Sequence, residues 1–126
     1  MISHIHAVSI VVSDQDNAIR YYCDVLGWKK TDDAPMGPNM RWVTVAPAGA
    51  VTNFALTLPS WHSKKPSLEM GINTGIAFAT SDMKSTFAEF KKRGVNFKGE
   101  PELMPWGKLG VWFVDPDGNE FFMAET

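Results

Sequence analysis

The chain has 126 residues, 44% of them hydrophobic and 21% charged, the make-up of one ordinary globular domain. A formal net charge of −2 gives neither nucleic acid nor an anionic membrane an electrostatic reason to bind. The single cysteine, Cys23, excludes an intrachain disulfide framework and a cysteine-rich zinc site, and no apolar run approaches the ~18 residues of a membrane span. Residues 5–13, with Ile5, Val8, Ile10, Val11 and Val12, predict a buried strand. Asp14 suits the N-cap of a helix over 15–26, and Gly27 its C-terminal stop. Pro/Gly clusters at 35–38 and 47–49 are loops. Strands are expected at 41–46 and 52–58, and 59–74 is a polar connector.

The order then repeats. Gly75-Ile-Ala-Phe-Ala-Thr-Ser-Asp82 returns Ala7-Val-Ser-Ile-Val-Val-Ser-Asp14 after 68 residues. Residues 75–80 are a strand, Asp82 a cap, and 83–93 a helix stopped at Gly94. A short strand follows at 95–98, then a loop at 100–107 and a strand at 108–114. Asp115-Pro-Asp-Gly118 is a tight turn, because proline presets φ and glycine supplies the positive-φ position. Residues 120–124 are the last strand. Trp42-Val-Thr-Val-Ala-Pro-Ala-Gly49 and Trp112-Phe-Val-Asp-Pro-Asp-Gly118 echo each other in the same way. Such repetition predicts two copies of one βαβββ module, each too small to bury a core alone. Module one is 1–62 and module two 70–126, in a single domain over 1–126 with the connector at 59–74.

These segments resemble the vicinal oxygen chelate superfamily, which includes glyoxalase I, extradiol dioxygenases and bleomycin-resistance proteins. The resemblance rests on Val-Val-Ser-Asp14, Tyr21-Tyr22, Leu26-Gly27-Trp28, Pro105-Trp-Gly107 and Phe113-Val-Asp-Pro-Asp-Gly-Asn119, and covers essentially the whole chain. It implies an α+β fold whose two modules curl a mixed sheet into a cup. It also implies a divalent metal held by residues of the first and last strand of each module, acting as a Lewis acid on two substrate oxygens.

The matched positions carry no such ligands. The first histidine of the pattern falls at Ala7, the second at Gly75 and the glutamate of the last strand at Phe122. No Asp or Glu occurs between Asp33 and Glu69, so a one-residue shift supplies no carboxylate to module one. Neither metal nor other cofactor is therefore expected. His4, His6 and Glu120 are the groups from which a displaced metal site would be built. The plainer reading is a half-exposed strand end and a solvated glutamate.

Strand parity turns Ala7, Ser9, Val11, Gly75, Ala77 and Ala79 to the cup. Small residues there leave room for a ligand, and equally permit close packing at a sheet centre. The expected pocket comprises Ala7, Ser9, Gly75, Ala77, Trp106, Phe122 and Arg41, the last to meet an anionic group unless it is a plain surface charge. Trp42 and Trp112, equivalent in the repeat, are expected in the core. Trp61 and Trp106 lie in loops, where a pocket edge or a dimer contact is as natural as burial. Cys23 reads as a helix core residue rather than a nucleophile, and Lys64-Lys65 and Lys91-Lys92-Arg93 as solvated faces. Met36, Met40, Met70 and Met104 are loop or strand-edge methionines, adaptable to apolar ligands.

The function expected is metal-free binding and sequestration of an apolar or aromatic small molecule, as in the bleomycin-resistance branch. A glyoxalase-like lyase, isomerase or dioxygenase with a relocated or absent metal site is the alternative, and no catalytic residue is assigned. The resemblance further implies a homodimer. The start of the chain lacks a basic segment followed by an apolar core, so no signal peptide is expected and the cytoplasm is the expected compartment.

Overall fold

The computed structural model describes residues 1–63 and 68–126; Lys64 and Lys65 lie outside them. The chain divides into two compact units, Met1–Met70 and Gly71–Thr126. Among the described residues no helix is long and apolar enough to cross a membrane.

In the first unit, β1 (Ala7–Val11) leads to α1 (Gln15–Ile19), then β2 (Lys29–Pro35), β3 (Arg41–Ala46) and β4 (Asn53–Thr57). The sheet runs β1-β4-β3-β2, with β1 parallel to β4 and the other pairs antiparallel. Asp14 caps α1 by accepting from the Asn17 N–H at 2.8 Å. The predicted helix over 15–26 does not stay α-helical. Arg20–Val25 widens into a π-helix, with Leu26 N–H donating five residues back to the Tyr21 carbonyl. Tyr22, Trp28 and Phe54 meet there, with ring centroids 5.1–5.8 Å apart. Tyr22 and Phe54, both buried, contribute roughly 2–3 kcal/mol each, and the half-buried Trp28 less. Cys23 is half-buried, and burial, then the Asp24 charge, pushes its thiol pKa up.

Two expectations need correction in this unit. Ile5 lies before β1 and is exposed, although Thr52 Oγ1 donates to its carbonyl. Strand β2, needed by the repeat, was not locatable in the sequence. Its Lys29, Lys30, Asp32 and Asp33 are exposed, the polar face an edge strand presents to water, so hydrophobic periodicity cannot reveal it.

The second unit repeats the order. It comprises β5 (Asn73–Thr80), α2 (Met83–Lys92), β6 (Asn96–Phe97), β7 (Glu102–Leu103), β8 (Leu109–Val114) and β9 (Glu120–Glu125). The sheet runs β5-β9-β8-β6, with β5 parallel to β9 and the two-residue β7 also paired to β8. That short strand interrupts what the sequence predicts as loop 100–107. Asp82 caps α2 through the Ser85 N–H and hydroxyl, and the Glu125 carboxylate accepts from the Met83 N–H at the same helix start, where negative charge is favoured. Phe78, Phe97, Phe113 and Phe121 share one face of the sheet, and Phe87 of α2 stacks on Phe97 at 4.5 Å. With the helix side filled, residues of opposite parity are left on the other face.

The Asp115–Asn119 turn is more than a reversal. Asp115 is 4% and Asn119 1% exposed. Asp115 Oδ1 accepts from the Asp117 and Asn119 N–H groups, and Asp115 Oδ2 from Asn119 Nδ2. Asn119 Oδ1 accepts from the Gly71 N–H at 2.8 Å. The turn thereby anchors the backbone two residues before β5.

Candidate functional site

On the face of the second sheet away from α2, seven residues line an open cavity of about 320 Å³: Gly75, Ile76, Ala77, Met104, Trp106, Trp112 and Phe122. Strand pairing explains the grouping. Trp112 lies opposite Phe122 across β8 and β9, and Ala77 beside Phe122 across β5 and β9. The rings of Trp112 and Phe122 stand 4.9 Å apart, and Trp106 meets Phe122 edge-on at 6.3 Å. Trp106 projects from a turn in which Gly107 N–H donates to the Met104 carbonyl and Met104 N–H to the Lys108 carbonyl. Gly107 takes the left-handed φ of +89° that the reversal needs.

A bulge shapes the remaining wall. The register of β5 on β9 jumps between Asn73 and Ala77, with Gly75 at φ +71°. Asn73 Oδ1 accepts from the Gly75 N–H and Thr74 Oγ1 from the Ile76 N–H, while the Thr74 hydroxyl donates to the Glu120 carbonyl. Breaking strict alternation lets Gly75, Ile76 and Ala77 all line the cavity.

The lining holds no ionisable side chain. A second cavity of about 120 Å³ shares Met104 and Trp112 with the first and adds Lys98, Glu100, Glu102 and Gly110. The Lys98 ammonium pairs there with Glu120 at 2.9 Å.

Four of the seven residues expected in a pocket, Gly75, Ala77, Trp106 and Phe122, thus come together. Ala7 and Ser9 lie half-buried on β1, paired with Asn53 and Ala55 in the first unit. Thr31, Thr44 and Asn53 form a hydrogen-bonded chain there. Arg41 is engaged elsewhere. Its Nε and one terminal nitrogen hold Asp33 at 2.7 and 2.8 Å, and the other terminal nitrogen holds Asp16 at 2.7 Å. These bonds raise the guanidinium's pKa further. With Lys30, Arg41 also holds the Asp33 carboxyl well below the usual carboxylate range. The guanidinium is thus already satisfied by two carboxylates.

Trp112 corrects the expectation of a core residue, for it is 39% exposed. Its parity with Phe122 across the Asp115–Asn119 turn was the available signal. Ile76 enters through the bulge, which Asn73-Thr-Gly75 hints at without specifying.

A metal of the kind the resemblance implies does not fit these residues. Ala7, Gly75 and Phe122 offer no oxygen or nitrogen side-chain donor, and such ions need imidazole or carboxylate. Among the described residues no group of three His, Cys, Asp or Glu could hold a metal. His4 and His6 stand with ring centroids 6.3 Å apart before β1, both exposed, and Glu120 is the carboxylate paired to Lys98.

Two units of the βαβββ order, the second with the extra short β7, and an apolar site on one sheet face define a class, and comparison with known proteins agrees. Residues 4–122 match the Glyoxalase/Bleomycin resistance protein/Dioxygenase superfamily. The chain belongs to this superfamily, the vicinal oxygen chelate group. A crystal structure of a member from Sphaerobacter thermophilus DSM 20745 is 45% identical, with a TM-score of 0.92 over 99% of this chain and 98% of that one. TnmS3, an antibiotic binding protein from Streptomyces sp. CB03234, is 35% identical, with a TM-score of 0.83 over 98% of this chain and 96% of that one. A probable lactoylglutathione lyase of Synechocystis sp. (strain ATCC 27184 / PCC 6803 / Kazusa) is 30% identical, over 93% of this chain and 91% of that protein.

Proposed function

We propose that this chain binds and sequesters an apolar or aromatic small molecule without a metal, in the cavity of its second unit. One observation carries the reading: a space of about 320 Å³ bordered by Trp106, Trp112 and Phe122 and lacking any ionisable side chain. Cavities near this size take small organic ligands. Affinity then comes from removing apolar surface from water and from ring stacking, worth roughly 0.5–1.5 kcal/mol per aromatic pair. The likeness to an antibiotic binding protein over nearly the whole chain supports the same direction. The lyase reading draws support from the Synechocystis relative, but finds no donor set at the matched positions. The proposal extends to a homodimer, as the family resemblance implies, acting in the cytoplasm.

The test is a titration with 1-pyrenemethanol, an uncharged fused-ring alcohol, followed by quenching of tryptophan fluorescence with and without a chelator. The expected result is saturable binding indifferent to the chelator. Trp106→Ala should weaken it about threefold to tenfold, the equivalent of one lost stacking contact. Binding that appears only with a stoichiometric divalent metal, or no binding at all, would overturn the reading.

A further inference from the structure

Gly110 lies on β8, opposite Ala124 of β9 and two residues from Trp112. Its backbone is outside the left-handed region where several glycines of the chain sit, so a need for positive φ does not explain it. Space does. A Cβ at this position would lie 2.2 Å from Phe122 Cζ, and 3.0 Å from both Phe122 Cε1 and Met104 Cγ. The far edge of the Phe122 ring occupies the volume that any other residue's side chain would fill. Phe122 and Met104 both line the apolar cavity, and Gly110 and Met104 both line its charged neighbour.

We propose that Gly110 is a specificity-determining residue: by lacking a side chain it lets the Phe122 ring lie down over β8 as a wall of the cavity, and so sets how large a planar ligand can enter. This rests on the cavity being the binding site. Carbon atoms in contact prefer ~3.5–4.0 Å, so a methyl group at 110 forces the ring edge back by more than about 1 Å. Trp112 packs against Phe122 at 4.9 Å on the same sheet face, and the backbone of β8 lies beneath. The ring is left to move towards Ala77 and Trp106, which line the cavity with it. Any ligand flat enough to need the full width loses contact, whereas a smaller one does not.

The experiment compares wild type, G110A, F122A and the double variant G110A/F122A by equilibrium dialysis. The ligands are 1-pyrenemethanol and 2-naphthalenemethanol, neutral alcohols that differ in the extent of their fused rings. G110A is expected to weaken 1-pyrenemethanol by about tenfold or more and 2-naphthalenemethanol by less than about threefold. F122A should itself lose about threefold to tenfold for the missing stacking contact, and with the ring gone Gly110→Ala should matter little, so the double variant should bind the larger ligand within about threefold of F122A. A general folding defect would instead add to the loss in F122A. An unchanged affinity of G110A for 1-pyrenemethanol, or an equal loss of both ligands that persists in the F122A background, overturns the proposal.

A measurement that needs no ligand separates this inference from the binding reading. In wild type the Gly110 Hα protons should show a ring-current shift from Phe122, abolished in F122A. Without that shift the packing is absent and the role of Gly110 falls, whatever the protein binds; this comparison also decides if G110A does not fold. With the shift present but neither alcohol bound by wild type, the sequestration reading is what has failed, and the specificity role goes with it.

Discussion

Asn119 makes the sharpest stability prediction, because its side chain is 1% exposed and both ends of its amide are bonded. Asn119→Ala removes two bonds at once: the one from the Gly71 N–H, now held at 2.8 Å, and the one to Asp115 Oδ2, held at 2.9 Å. A bond to a charged acceptor is worth about 1.5–3 kcal/mol and a neutral one about 1 kcal/mol, so the loss should be roughly 3 kcal/mol. With a urea dependence near 2 kcal/mol/M, the midpoint should fall by about 1.5 M. Urea titration followed by tryptophan fluorescence measures this directly. Asn119→Asp keeps the shape but sets a second carboxylate against Asp115, raising a folded-state pKa above its unfolded value. Its deficit relative to wild type should be full above that raised pKa and shrink as pH falls through it towards the ordinary value of about 4. A loss below about 1 kcal/mol in Asn119→Ala would refute the view that this amide anchors the approach to β5.

Two further outcomes follow from the geometry. Asp33, bonded by Arg41 and Lys30, has its pKa depressed, so its stabilising contribution is present above the ordinary carboxylate pKa and is lost as pH falls through the depressed one. Carboxyl-carbon NMR should show no Asp33 titration across the usual range, and Arg41→Ala should move it upward towards that range with Lys30 still holding it partly down; an ordinary midpoint in wild type would refute the pairing. Gly75→His restores one ligand of the family pattern but must hold φ near +71°. The space there is open, so strain rather than clash should cost about 1–2 kcal/mol, lowering Tm, and zinc titration should show no stoichiometric uptake. An unchanged Tm would mean the bulge relaxes freely.

Recognition of the family drew on features that are local in sequence. Asp14 and Asp82 signal helix starts by the capping chemistry of a short carboxylate, and Asp115-Pro-Asp-Gly118 signals a turn by its backbone preferences. The absent ligands were readable for the same reason: a matched position either carries a donor atom or does not. Strand β2 was not readable, because an exposed edge strand of Lys and Asp carries no hydrophobic period. Nor was the π-helical stretch after Ile19, where apolar spacing fits an ordinary helix equally well.

The site divides along the same line. Gly75, Ala77 and Phe122 follow from parity along strands, and parity is a property of the chain alone. Which face of Trp112 meets water depends on pairing with a strand that begins eight residues later, across a turn whose register only the folded hydrogen bonds set. Ile76 joins the lining through a bulge fixed by Asn73 and Thr74. Gly110 carries meaning only because a ring from the neighbouring strand lies where its side chain would be. Sequence by itself determined the repeat, the elements with a clear hydrophobic period or cap, and the missing donors, since these depend on the order and type of residues. Tertiary structure decided the shape and width of the cavity, since these depend on distances between strands that the order of residues does not contain.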